Sequence, residues 1–244
     1  MLKKLTDMEI TGNQTIFTQC FNDYKDKFDD LIKLSEVDFP NSLRLFDIRF
    51  RLALSLQVGF DSSISYTNTE TTRKTYSLIV RLNDLWFAFE GLYKLCAEVS
   101  YLKINPTKSD PFSIEKVTAL NLDNKVTEFG DYLNENIYQN SRLKADFINY
   151  LQYLNDNSEG RTQPRLLDSF KVKATNNKYP KFNEILSLVY GMRNMYVHKT
   201  DTAKSGVSRY KTKIELLKDC NDFLTLVSLS ISTKIINEKI ASIE

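Results

Sequence analysis

The sequence predicts an all-α, multi-helix protein, and three observations carry that expectation. Only 7 glycines and 5 prolines punctuate 244 residues, too few for the many turns of a β fold. Long stretches repeat apolar residues at three- and four-residue spacing. No stretch shows the strict alternation of a half-buried strand.

The first helix is expected over residues 15–35, with Phe17, Phe21, Tyr24, Phe28 and Leu31 along one side. Pro40 and Asn41 break the chain, and a second helix is expected over 42–60. Residues 59–70 form a polar loop ending near an N-cap candidate, Thr69. The next helix is long, about 71–102. Leu78, Leu82, Leu85, Phe89, Leu92, Cys96 and Val99 make one stripe, and Ile79, Trp86, Tyr93 and Ala97 a second. A helix apolar on more than one side belongs at the centre of a bundle. Asn83 and Glu90 lie in the second stripe, where a polar group needs a partner.

Pro106 and Pro111 mark a turn region. Shorter helices are expected over about 112–120, 123–138 and 141–155, then a loop at 156–164 and a short helix at 165–173. The helix that follows is expected to have Pro180 in its first turn, where a missing N–H costs nothing, and to end near His198. A polar loop covers 199–208. A final helix over 209–241 turns Leu217, Leu224, Val227, Ile231 and Ile235 inward. The expected organisation is one helical domain over 1–244, with 1–70 as an N-terminal helical extension and about 71–241 as the core.

The balance of 33 basic and 31 acidic side chains gives a net charge of only +2, so any nucleic-acid site must arise from local clustering. Cys20, Cys96 and Cys220 have neither metal-binding spacing nor an even count, and read as core thiols of a reducing compartment. No apolar run reaches membrane-spanning length and the opening residues do not resemble a signal peptide. A soluble cytoplasmic protein is therefore expected, with no membrane partner.

One segment concentrates chemistry-bearing groups: Gly191-Met192-Arg193-Asn194-Met195-Tyr196-Val197-His198. His198 is the sole histidine, and so the obvious group for acid–base chemistry near neutral pH. Phe182, Ile185, Leu186, Val189, Met192 and Tyr196 share an apolar helix face. Asn183, Glu184, Ser187, Gly191, Asn194 and His198 occupy the other. Asn194 and His198, four apart, stack on one side, and the long stem of Arg193 can bring its guanidinium round to them. Gly191 removes a side chain where another element, such as a partner helix, could approach. Lys199, Lys204, Arg209, Lys211 and Lys213 add a basic cluster suited to a phosphate backbone. Blander readings stand beside these. His198 could be a helix-end surface residue, Arg193 an ion-pair partner of Glu90 or Glu184, and the basic cluster a solvated loop.

The pattern Arg193-Asn194-x-x-x-His198 resembles the Arg-x4–6-His signature of HEPN domains, in which a polar residue commonly follows the arginine. The run from Arg81 to Glu90 also resembles the aromatic, acid-bearing central helix of several HEPN groups, with Glu90 in a supporting place. The similarity covers roughly residues 71–241.

The resemblance implies a HEPN-like core and a metal-independent endoribonuclease without cofactor, of the kind found in toxin–antitoxin, abortive-infection and other antiviral defence systems. It implies RNA as substrate and Arg193, Asn194 and His198 as catalytic residues. Because the chain has one motif, it also implies a homodimer whose two motifs meet. An antitoxin or another defence-system protein is the further partner it admits. Where some HEPN toxins carry a tyrosine modified by a partner enzyme, this chain has Thr200. The alternative expectation is a non-catalytic HEPN-like module that binds RNA, a nucleotide or a partner protein. A purely structural bundle is the third.

Overall fold

A computed structural model describes residues 14–34, 41–59, 70–98, 122–199 and 201–243. Among these there are eight α-helices and no strand: α1 (Gln14–Leu34), α2 (Asn41–Ser55), α3 (Glu70–Glu98), α4 (Asp123–Leu133), α5 (Ser141–Asp156), α6 (Thr162–Thr175), α7 (Phe182–His198) and α8 (Tyr210–Ala241). The all-α expectation holds. Residues 60–69 of the loop expected over 59–70, the turn region marked by Pro106 and Pro111 and the helix expected over 112–120 lie outside the described residues, as do Thr69, Val99 and Thr200. No helix among the described residues is long and apolar enough to cross a membrane.

The chain forms two compact units, each discontinuous in sequence. One comprises the described residues within 1–55, 84–122 and 222–244, the other those within 56–83 and 123–221. In the first, the five aromatic and aliphatic residues expected to line α1 are buried, together with Phe46 and Phe50 of α2. Tyr24 packs edge-on to Phe46 with ring centroids 6.2 Å apart. Its hydroxyl donates to Asp47 Oδ1 at 2.8 Å, and Arg51 Nε donates to the same oxygen at 2.7 Å. The buried polar edge of this aromatic cluster is thereby satisfied.

The second unit is assembled from α4 to α7, the start of α3 and the first part of α8. The expected single helix over 123–138 is α-helical only to Leu133. Residues Asn134–Tyr138 form a π-helical turn that places Ile137 and Tyr138 in the core. Asn140 then caps α5, its Oδ1 accepting from the amides of Arg142 at 3.1 Å and Leu143 at 3.2 Å. Helix α6 is longer than expected, beginning at Thr162 with Pro164 in its first turn. Pro180 falls outside α7, not in its first turn. The start of that helix is held by the Glu184 carboxylate, which accepts the Lys181 amide at 2.7 Å.

The expected two-faced α7 is also corrected. Glu184, Ser187 and Gly191, assigned to the polar side, are buried along with the apolar face. Glu184 receives Lys173 at 2.8 Å and Ser169 at 2.7 Å, both from α6. It is thus a buried structural anion of the α6–α7 contact. Cys220 is buried, with Sγ 3.8 Å from Met192 Sδ, whereas Cys20 is only partly covered and the Cys96 side chain lies outside the described residues.

Candidate functional site

Most of helix α7 from Phe182 to Met192 is buried and its last turn emerges, so the motif sits where the helix leaves the core. Arg193 and Asn194 are half-buried and His198 is exposed. Five residues of helix place Arg193 and His198 well apart around the axis, but the arginine stem closes the gap. Arg193 Nη1 lies 2.9 Å from Asn194 Oδ1 and 3.0 Å from His198 Nε2. A guanidinium has protons and no lone pair, so it can only donate. The imidazole nitrogen facing it must therefore be the acceptor, and the ring proton of neutral His198 sits on Nδ1. The three residues expected to act together do share one polar constellation.

The basic cluster divides. Lys199, Lys204, Arg209 and Lys211 are exposed on the connection after α7 and at the start of α8. Lys199 Nζ stands 3.8 Å from Glu159, and Lys204 Nζ lies 5.9 Å from the Tyr210 ring centroid. Lys213 corrects the expectation: only 1 % of its side chain is exposed, so it cannot present a charge to RNA. Its ammonium reaches Tyr150 Oη at 2.6 Å, Asp201 Oδ2 at 3.2 Å and the Ser205 carbonyl at 3.2 Å. Burial pushes its pKa down, and the Asp201 carboxylate opposes that shift. A charge so enclosed serves the loop rather than a ligand. Asp146 of α5 completes the anchorage by accepting the Ser208 and Arg209 amides at 2.7 and 3.0 Å.

Glu90 falls in the first unit, where it accepts the Trp86 indole N–H at 2.8 Å. That bond accounts for a carboxylate among aromatic residues.

Beside the motif lies an open cavity of about 370 Å³, and most of its lining comes from residues that the sequence did not mark. Asn157, Ser158 and Glu159 contribute from the α5–α6 turn, Gln163 from α6, and Tyr190, Asn194 and His198 from α7. Gly191 forms part of its floor. A Cβ there would meet Gln163 Nε2 at 3.2 Å and Leu154 Cδ1 at 3.4 Å. The missing side chain thus admits neighbouring side chains of the same chain, not a partner helix. It was the single sequence signal of this close approach; nothing in the polar run 156–164 marked it as a wall.

Among the described residues, no group of three or more His, Cys, Asp or Glu side chains stands together as a metal site. Comparison with protein-family models, curated proteins and solved structures finds no match, so the chemistry must be argued from the side chains themselves.

Proposed function

We propose that this chain is a HEPN-type, metal-independent endoribonuclease of a phage-defence or toxin–antitoxin system, acting as a homodimer on RNA. The observation that supports the reading is the 3.0 Å approach of Arg193 Nη1 to His198 Nε2, with Asn194 on the same guanidinium nitrogen, at an exposed helix end. A guanidinium beside an imidazole at an exposed helix end can offer a phosphate a fork of donors next to a group that carries protons.

The reaction is transesterification. The ribose 2′-OH attacks the adjacent phosphorus, its proton goes to a base, and the 5′-oxygen leaves with a proton from an acid. The products are a 2′,3′-cyclic phosphate and a 5′-hydroxyl. One His198, with Nε2 unprotonated, is the base, and His198 of a second copy is the acid. The two Arg193 guanidiniums bind the non-bridging oxygens, where negative charge grows in the transition state. When phosphate arrives, Arg193 exchanges its contact with His198 for one with oxygen, which releases Nε2 for the proton. Asn194 holds the guanidinium plane throughout. Lys199, Lys204, Arg209 and Lys211 bind flanking phosphates.

The test is cleavage of RNA by purified protein in EDTA. Activity is expected to persist with the chelator and to vanish in Arg193→Ala and His198→Ala without loss of helix content. Metal dependence, or full activity in His198→Ala, rejects the reading. The second reading, a HEPN-like module that binds RNA, a nucleotide or a partner protein without cutting, draws support from the burial of Lys213, which thins the basic surface. It predicts RNA affinity with no cyclic-phosphate product.

A further inference from the structure

Helix α2 is apolar on two opposite sides, and its own unit covers one of them. Leu43, Phe46, Phe50, Ala53 and Leu54 are buried. Leu45, Ile48 and Leu52 lie on the other side and expose 60 %, 56 % and 57 % of their surface. A single exposed leucine is ordinary. These three stand at i, i+3 and i+7, and so form a row about 10 Å long down one side of the helix.

That spacing is the a, d, a of a heptad seam, with Arg44 at a g position and Arg49 at an e position beside it. Both arginines are exposed. The one acid of α2, Asp47, is buried and accepts from Tyr24 Oη at 2.8 Å and Arg51 Nε at 2.7 Å. Arg51 is engaged with α1, its guanidinium carbon 5.7 and 6.0 Å from the Phe21 and Phe28 ring centroids. Half-buried Asp84 of α3 feels the charge of Arg49, which opposes the upward push of burial on its pKa. The row is therefore apolar along its centre and cationic along both edges, and α2 exposes no carboxylate.

These edges decide what can lie on the row. A second α2 laid parallel sets Arg44 against Arg49 of the second copy, and one laid antiparallel sets arginine against arginine again. Like charges meet either way, which disfavours self-pairing. An anionic bilayer would accept the arginines, but interfacial binding scales with the apolar area inserted, and only a narrow row is available because the opposite side of α2 is already buried. A helix with an apolar seam and carboxylates along its edges matches both the row and its charges.

We propose that the exposed row of α2 docks an amphipathic helix of another protein, apolar at its a and d positions and carrying Glu or Asp at e and g. Leu45, Ile48 and Leu52 pack into its seam, and Arg44 and Arg49 pair with its carboxylates. The surface uses no residue of the Arg193–His198 motif and does not depend on the ribonuclease reading.

The experiment is a fluorescence-anisotropy titration of the intact protein into a labelled, end-capped peptide of about three heptads, with leucine at a and d and glutamate at e and g. Its own glutamates keep the peptide from pairing with itself. A second peptide has lysine in place of each glutamate. The glutamate peptide is expected to bind saturably and at least about tenfold more tightly than the lysine peptide, and to gain helical circular dichroism on binding. Ile48→Gln with Leu52→Gln is expected to remove that binding while the helix content and Tm of the protein stay unchanged, since both positions are exposed. Arg44→Glu with Arg49→Glu is expected to reverse the preference toward the lysine peptide. Equal affinities, no binding of the glutamate peptide, or a preference that does not reverse overturns the proposal. Binding to vesicles of phosphatidylserine and phosphatidylcholine that the glutamine variant loses overturns it in favour of a membrane. A dimer in sedimentation that the same variant dissociates overturns it in favour of a second copy.

Discussion

Lys213 Nζ lies 3.2 Å from Asp201 Oδ2, and neither side chain exposes more than 2 % of its surface. The pair joins the start of α8 to the connection that follows the candidate motif, and Tyr150 and the Ser205 carbonyl complete the shell of the ammonium. Removing one member strands the other without water. Lys213→Ala is therefore expected to cost about 3–5 kcal/mol, read as a lowered urea midpoint. The double variant Lys213→Met, Asp201→Asn is expected to recover a large part of that loss, because no uncompensated charge remains.

Gly206 holds the same connection from another side. Its φ of +76° is one that other residues adopt with strain, and a Cβ there would meet the Tyr153 ring and come within 2.7 Å of Tyr150 Cδ2. Gly206→Ala is expected to destabilise the protein by about 2 kcal/mol or more in thermal or chemical unfolding. Gly191→Ala differs, because its nearest neighbours are the ends of flexible side chains at 3.2 Å and beyond. Its expected effect is within about 1 kcal/mol, since gain in helix propensity offsets the crowding.

The contact between Arg193 and His198 predicts a tautomer. With the imidazole neutral, nitrogen NMR of the wild-type protein's lone histidine is expected to show the proton on Nδ1. In Arg193→Ala the ring loses its donor at Nε2, and the population is expected to move toward the Nε2–H form that free imidazole side chains favour. An unchanged spectrum in the variant contradicts the contact.

Alkaline pH is expected to unfold the protein. Burial raises the hydroxyl pKa of Tyr24, Tyr138 and Tyr150 above the ordinary 10.0, and burial with Asp201 holds Tyr153 at about 12. A group with a raised pKa binds more protons folded than unfolded, so its contribution is full below pH 10 and is lost as pH climbs further. Lys213, lowered by burial, acts in the opposite sense, but only up to its unfolded value near 10.5. Above that Lys213 no longer opposes the tyrosines. Tyrosine ionisation at 295 nm is expected to coincide with loss of helical circular dichroism.

Helical periodicity made most described elements legible in the sequence. It located α1, α5 and α8 closely because their apolar residues recur at three and four. It missed the π turn at Asn134–Tyr138, since an extra residue within a helical run leaves no compositional mark. It misplaced Lys213 because a lysine near other lysines looks solvated, and only the fold brings Asp201 and Tyr150 to it. The motif was readable because Arg193, Asn194 and His198 are neighbours in sequence. The cavity was not, because Asn157 and Glu159 approach Asn194 only through the packing of α5 and α6 on α7.

The proposed reaction is RNA cleavage by Arg193 and His198 through 2′-OH attack without a metal ion. The most direct measurement is end-group analysis of a single-stranded RNA incubated with the purified protein in excess EDTA. The expected result is 2′,3′-cyclic phosphate and 5′-hydroxyl ends from the wild type, about 100-fold fewer from Arg193→Lys, which keeps the charge but loses the fork of donors, and none from His198→Ala. Ends that appear only when a divalent cation is restored, or that His198→Ala still yields at the wild-type rate, contradict it.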